Sequence, residues 1–209
     1  ALMTNNLTFA DRLIDRMKKV GSVLVVGLDP NLEEMPAELV RTYQGDGNSD
    51  ESDRMYRLLV DFYHSIINAT TPYVVAYKPN IELFERYGPA GVRALETVIR
   101  YVVSRELLVI INAKVDDCDP STQAAANTFI GEVPSTFFLV PFDTQGGDTD
   151  DAVSAADYNG FGVIVSTHAI CNQLDPGGAA KTARQTLNSA LMRAGKGCGV
   201  FWDLPDECC

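Results

Sequence analysis

Apolar positions along the chain keep two alternating rhythms. From Leu7 to Val20 they recur at helical spacing, with Leu13, Ile14 and Met17 on one face and Thr8 and Asp11 placed as a capping box. After Gly21 the spacing collapses into a nearly unbroken apolar run, Val23 to Leu28, which predicts a buried strand ending in Gly27-Leu28-Asp29-Pro30. The Gly-, Asp- and Ser-rich stretch Gln44 to Asp53 predicts a solvated loop. A second amphipathic helix follows over Met55 to Asn68, with Leu58, Leu59, Phe62, Ile66 and Ile67 apolar. The β-branched run Tyr73 to Tyr77 predicts a second strand leading into Lys78-Pro79-Asn80. A short helix over Ile81 to Arg86, a breaker at Gly88-Pro89 and a helix over Gly91 to Val103 come next, then a third strand, Leu107 to Ile111, running into Asn112-Ala113-Lys114.

Beyond Lys114 the rhythm weakens. A helix is predicted over Gln123 to Phe129, a strand over Phe137 to Val140 before Gln145-Gly146-Gly147, and a polar helix over Asp148 to Tyr158. Gly162 to Ser166 reads as another strand and Ala179 to Ala194 as a last helix, while residues 195–209 show no period. Strands that are apolar on both faces and separated by helices belong to a parallel sheet covered on both sides, so the expected class is α/β. The expected organisation is one domain over 1–194 and a C-terminal tail over 195–209. In such folds functional groups sit just past the carboxyl ends of strands, where Asp29, Lys78, Asn112 and Lys114 all fall.

Composition narrows the function. The 209 residues are 46% hydrophobic and 22% charged, as in an ordinary globular protein. A formal charge of −11 with no Lys/Arg cluster argues against a nucleic-acid partner, which needs a basic face to displace counterions. A small anionic ligand remains compatible where a few cations or backbone amides are aimed at it. The five cysteines, Cys118, Cys171, Cys198, Cys208 and Cys209, have no C-x-x-C spacing, which speaks against a zinc cage or disulfide framework and for a reducing compartment. No run reaches the roughly 20 apolar residues of a membrane span. Asp11 and Asp15 make Ala1 to Val20 unlike a signal peptide, so the expected location is the cytoplasm, with no membrane partner.

Two segments carry candidate chemistry. Lys114 and Asp117 are three apart at a strand end and, with Lys78 from the neighbouring strand, can gather two ammonium groups and one carboxylate into a small volume. The alternative is that they are separate, solvated surface charges. Gln145-Gly146-Gly147-Asp148 joins a strand to a helix, where glycines let backbone amides approach an anion. Ordinary loop punctuation accounts for it more simply, and Asp148, Asp150 and Asp151 would repel a phosphate. His168 follows a strand end and is a candidate ligand contact, whereas His64 lies inside a helical pattern and reads as structural or exposed.

At these residues the sequence resembles the orotidine 5′-phosphate decarboxylase family in its longer bacterial form. Phe9-Ala10-Asp11-Arg12-Leu13, Val26-Gly27-Leu28-Asp29-Pro30, Tyr77-Lys78-Pro79-Asn80 and Phe84-Glu85-Arg86-Tyr87-Gly88-Pro89-Ala90-Gly91 match in order. Asn112 to Asp117 stands where the family carries D-x-K-x-x-D, Leu139-Val140-Pro141 with Gln145 to Asp148 resembles its late phosphate-binding loop, and Ile164 to His168 falls on its last strand. The resemblance implies a (β/α)8 TIM barrel that decarboxylates orotidine monophosphate to uridine monophosphate with no metal or cofactor. It implies Lys114 as proton donor, Lys78 in the charged network, and Asp117 reaching the partner's site in a homodimer. Asp29 and Thr122 would hold ribose hydroxyls; Gln145, Gly146 and Gly147 would hold the phosphate.

The sequence departs from that pattern in four places. Asn112 replaces the leading aspartate; Val115, Asp116, Cys118 and Asp119 replace a tight R-G-D-I-G run; His168 stands where the family has a phosphate-binding arginine; and a stretch is absent between Gly131 and Phe137. The absent part corresponds to about three βα units, against roughly 250 residues for a typical barrel. The expected architecture is therefore a parallel sheet derived from a TIM barrel but incomplete or rearranged, with two open edges. Three functional expectations follow: a decarboxylase of impaired activity, a non-catalytic pseudoenzyme binding a nucleotide or a protein, or a truncated or artificial variant without selected function.

Overall fold

The computed structural model describes residues 7–44, 50–111, 138–141 and 162–193. Helix α1 (Phe9–Val20) begins with the capping box foreseen at Thr8 and Asp11 and ends at Gly21, whose left-handed φ of 57° suits glycine. Strand β1 (Leu24–Leu28) follows and is buried at every position. Helix α2 (Ala37–Gln44) has no counterpart in the periodicity reading. Helix α3 (Glu51–Thr70) starts earlier than expected because Asp50 caps it, accepting from the Ser52 amide at 3.2 Å.

The run expected as strand from Tyr73 splits. Thr71–Tyr73 forms a 3-10 turn around Pro72, and β2 is Ala76–Pro79. Helix α4 (Ile81–Glu85) leads to α5 (Gly88–Ser104). Gly88-Pro89 thus starts a helix rather than only breaking one: Gly88 takes a φ of 59°, and a proline in the first turn lacks only an amide hydrogen that has no helical partner there. Strands β3 (Leu108–Val109), β4 (Phe138–Pro141) and β5 (Gly162–Ser166) complete the sheet. Helix α6 (His168–Cys171), which was not foreseen, and α7 (Pro176–Arg193) follow.

All pairings in the sheet are parallel, and the strand order is β3-β2-β1-β5-β4. The last strand pairs with the first, which is the neighbour relation of a closed barrel, while β3 and β4 end the sheet among the described residues. The sheet is an arc of barrel type, and the sequence between its two ends is 110–137. Helix α3 packs on α5, α2 and α7, and α7 also reaches β1. Leu24, Leu28, Leu59, Ile66, Ile67, Tyr77, Phe84, Ile164 and Leu187 lie in one buried core.

The expected helices over Gln123 to Phe129 and Asp148 to Tyr158, and the tail, fall outside the described residues. No helix among the described residues is long and apolar enough to cross a membrane, and no group of three or more metal-ligating side chains occurs among them.

Candidate functional site at the carboxyl ends of the strands

Register decides which side chains can meet. Gly27 of β1 is aligned with Lys78 of β2, and Val26 with Ser166 of β5. Side chains alternate along a strand, so Gly27, Asp29, Lys78 and Thr167 share one face, whereas Tyr77 and Ser166 turn to the other. Tyr77 accordingly bonds to helix α3, its hydroxyl 2.8 Å from Thr70 Oγ1 and 3.0 Å from the Ile67 carbonyl.

Gly27 is where backbone must approach side chain. A Cβ there would lie 1.9 Å from Thr167 Oγ1. The Thr167 hydroxyl uses that space and donates to Asp29 Oδ2 at 3.3 Å. Below it, the buried Cys171 thiol donates to the Gly27 carbonyl at 3.3 Å, docking α6 on β1. Burial pushes this thiol far above the usual cysteine range, with the nearby Asp29 carboxylate adding to the effect, so it is packing rather than a nucleophile.

Asp29 is partly buried, and its Oδ1 has no hydrogen-bond partner among the described residues. Desolvation raises its pKa; Lys78, the Thr167 hydroxyl and His168 pull the other way, in that order. A carboxylate with one oxygen bonded and the other buried without a donor is suited to a ligand that brings a hydroxyl or an N–H.

The loop after β1 is tied down on two sides. Tyr87 accepts from the Leu32 amide at 3.2 Å and donates to the Pro30 carbonyl at 3.4 Å. Glu34 collects three donors: Asn31 Nδ2 at 2.9 Å on Oε1, and His168 Nδ1 at 2.6 Å and Asn172 Nδ2 at 2.7 Å on Oε2. Its pKa is lowered, mainly by the Asn172 bond and further by His168. Glu34, Asn172 and Thr167 were not picked out from the sequence. Only Thr167 left a signal, a hydroxyl at a strand end opposite a glycine; two of the three Glu34 partners are 134 and 138 residues away.

Of the residues chosen from sequence, Asp29, Lys78 and His168 therefore meet at one end of the sheet. Asn112, Lys114, Asp117, Thr122, Gln145, Gly146 and Gly147 lie outside the described residues. His64 is elsewhere, stacked on Tyr101 with ring centroids 3.8 Å apart.

Comparison with known proteins adds the family. A protein named orotidine 5′-phosphate decarboxylase from Thermomicrobium roseum is 36% identical over 161 residues, 77% of this chain and 52% of the relative. One of the same name from Caldicellulosiruptor bescii is 32% identical over 128 residues, 61% of this chain and 42% of the relative. The chain is a relative of the orotidine 5′-phosphate decarboxylases. It spans about half the length of the curated family members it matches. No family model matches it.

Solved structures give the fold. A putative family enzyme from Plasmodium yoelii superposes with a TM-score of 0.73 at 14% identity, covering 88% of this chain and 99% of that one. A putative enzyme from Toxoplasma gondii gives 0.68 at 19%, covering 90% and 97%. The decarboxylase fold is thus present as an arc that does not close among the described residues.

Proposed function

We propose that the carboxyl end of the sheet is a site for a pyrimidine nucleotide and that the chain is an orotidine 5′-phosphate decarboxylase-like protein of impaired activity. One observation carries the reading: Asp29, held by Thr167 and influenced by Lys78 and His168, keeps a buried oxygen free of donors among the described residues at the end of the sheet where α/β enzymes work. A ribose hydroxyl fits that oxygen. Lys78 supplies positive charge beside it, and His168 stands at the phosphate end.

The chemistry proposed for the rest follows the family resemblance. Breaking the bond between the carboxylate and ring carbon 6 leaves the electron pair on the ring as carbon dioxide departs. The Lys114 ammonium gives its proton to that carbon, and Lys78 stabilises the developing charge. Phosphate binding by Gln145 and the Gly146 and Gly147 amides, remote from the reacting bond, supplies energy for alignment. Asp117 and Thr122 belong to the same site, reached across a homodimer. No metal or cofactor takes part. Asn112 lacks the charge of an aspartate at that position, so one counter-charge for the lysines is missing and the rate is lowered. The proposed unit is a single domain over 1–194 in the cytoplasm.

The second reading is a pseudoenzyme that binds the nucleotide without turnover. Asn112 and the engagement of His168 by Glu34 favour it. Ultraviolet absorbance of orotidine monophosphate separates the two when combined with calorimetry on uridine monophosphate. Turnover above a Lys114→Ala control supports the enzyme; binding with no turnover supports the pseudoenzyme. Failure to bind either nucleotide rules out both. Activity gained by Asn112→Asp with His168→Arg would show that the scaffold is competent.

A further inference from the structure

We infer that Glu34 is a specificity-determining residue: its carboxylate occupies His168 as an internal anion, so that a phosphate must compete with it, and the preference of the site for the nucleotide over its nucleoside is weakened. The inference deepens the nucleotide reading and rests on it for the identity of the ligand.

The geometry supports this in three steps. First, Glu34 is fixed rather than passing by, because Asn31, Asn172 and His168 together give its two oxygens three donors. Second, an ionised carboxylate only accepts, so the 2.6 Å contact places a hydrogen on His168 Nδ1. That leaves Nε2 for a ligand. In the neutral ring Nε2 is an acceptor, and a phosphate oxygen finds no hydrogen there. Third, when the ring is doubly protonated, its charge is already compensated by Glu34. The incoming anion then meets a neutral pair with the Asp29 carboxylate nearby, on which Lys78 acts more strongly than His168 does. A bound nucleoside feels none of this, since its hydroxyls address Asp29.

The size of the effect is bounded by solvent. The His168 and Glu34 side chains are 42% and 38% exposed, so their attraction is screened and competes only modestly. Neutralising Glu34 should improve phosphate binding by about threefold to fivefold.

Glu34→Gln tests the charge, because an amide oxygen still accepts from Asn172. Dissociation constants for uridine and uridine monophosphate are measured by calorimetry on the full chain. Inorganic phosphate is titrated separately while the His168 ring proton signals are followed by NMR. With two histidines in the sequence, a His64→Gln variant assigns them.

The expected result is a higher ratio of the uridine constant to the uridine monophosphate constant in Glu34→Gln, and a His168 response at lower phosphate concentration. An unchanged or smaller ratio overturns the proposal, as does a His168 signal that ignores phosphate in both proteins. If neither uridine nor its phosphate binds the unsubstituted chain, the nucleotide reading fails. The phosphate titration still decides the competition at His168. Glu34→Ala, which also releases Asn31 and Asn172, serves as the control for loop order.

Discussion

The two ends of the same sheet use polar side chains differently. At the amino ends of the strands, they bind the protein's own backbone. Arg16 donates to the Val74 carbonyl at 3.2 Å and the Thr71 carbonyl at 2.5 Å. Arg184 donates to the Val20 carbonyl at 3.2 Å and lies over the Tyr73 ring, and Asn188 donates to the Gly21 carbonyl at 3.0 Å. Only Arg184 Nε is buried there without a partner among the described residues. At the carboxyl ends, Asp29 keeps an oxygen without a partner among the described residues, and Glu34 ties the loop after β1 to helix α6 near the surface. One end commits its polar groups to the backbone; the other leaves a buried carboxylate oxygen without a donor among the described residues.

Substitutions can break this contrast, beginning with the largest effect. Arg16→Ala strips donors from two carbonyls and removes a half-buried stem. It should cost about 1–3 kcal/mol in urea unfolding while leaving uridine monophosphate affinity as it was. Equal stability to the parent chain, or a matching loss of affinity, would erase the division between the ends. Gly27→Ala forces Thr167 aside, because the new Cβ would sit 1.9 Å from its hydroxyl. About 1–2 kcal/mol of stability should go, and calorimetry should show ligand affinity falling more than it does in any amino-end variant.

The pH dependence sharpens the comparison. Burial raises the Asp29 pKa on folding, so its contribution is complete in acid and is lost as pH rises through the folded value. Asp29→Asn should therefore melt higher than the parent at neutral pH, with the gain vanishing below the ordinary carboxylate range. A lower melting temperature at neutral pH would mean that the carboxylate is stabilising after all. Glu34 has the opposite sign: its pKa is lowered, chiefly by Asn172, so its contribution is present at neutral pH and is lost as pH falls through the folded value. Glu34→Gln should change neutral-pH stability by no more than about 0.5 kcal/mol and flatten the acid limb of the melting profile. A larger change would make it a structural strut rather than a selector.

Much of the arc was legible because its signals are local. The capping box at Thr8 and Asp11, the unbroken apolar run before Asp29 and the match of Gly162–Ser166 to a strand each depend on a few neighbouring residues. The misreadings were local conflicts settled by context. Pro72 turned the start of the Tyr73 run into a 3-10 turn, and Asp50 extended α3 into what looked like loop. That Asp29, Lys78 and His168 gather at one end of the sheet was legible because a group at or just past the carboxyl end of a parallel strand has one predictable position, although Lys78 falls within β2 rather than beyond it. Thr167, Glu34 and Asn172 were not, since a threonine or glutamate in a polar loop looks like solvated surface until the partner is known.

By itself the sequence determined the parallel α/β class, most of the strands and the end of the sheet at which Asp29, Lys78 and His168 gather, because these follow from periodicity and chain direction. The family was legible from motifs in order. Only the tertiary structure decided that β1 lies beside β5, that Gly27 yields its space to Thr167, and that Glu34 holds His168. Those facts join residues more than 130 positions apart, and no local pattern of apolar and polar residues encodes a contact at that range.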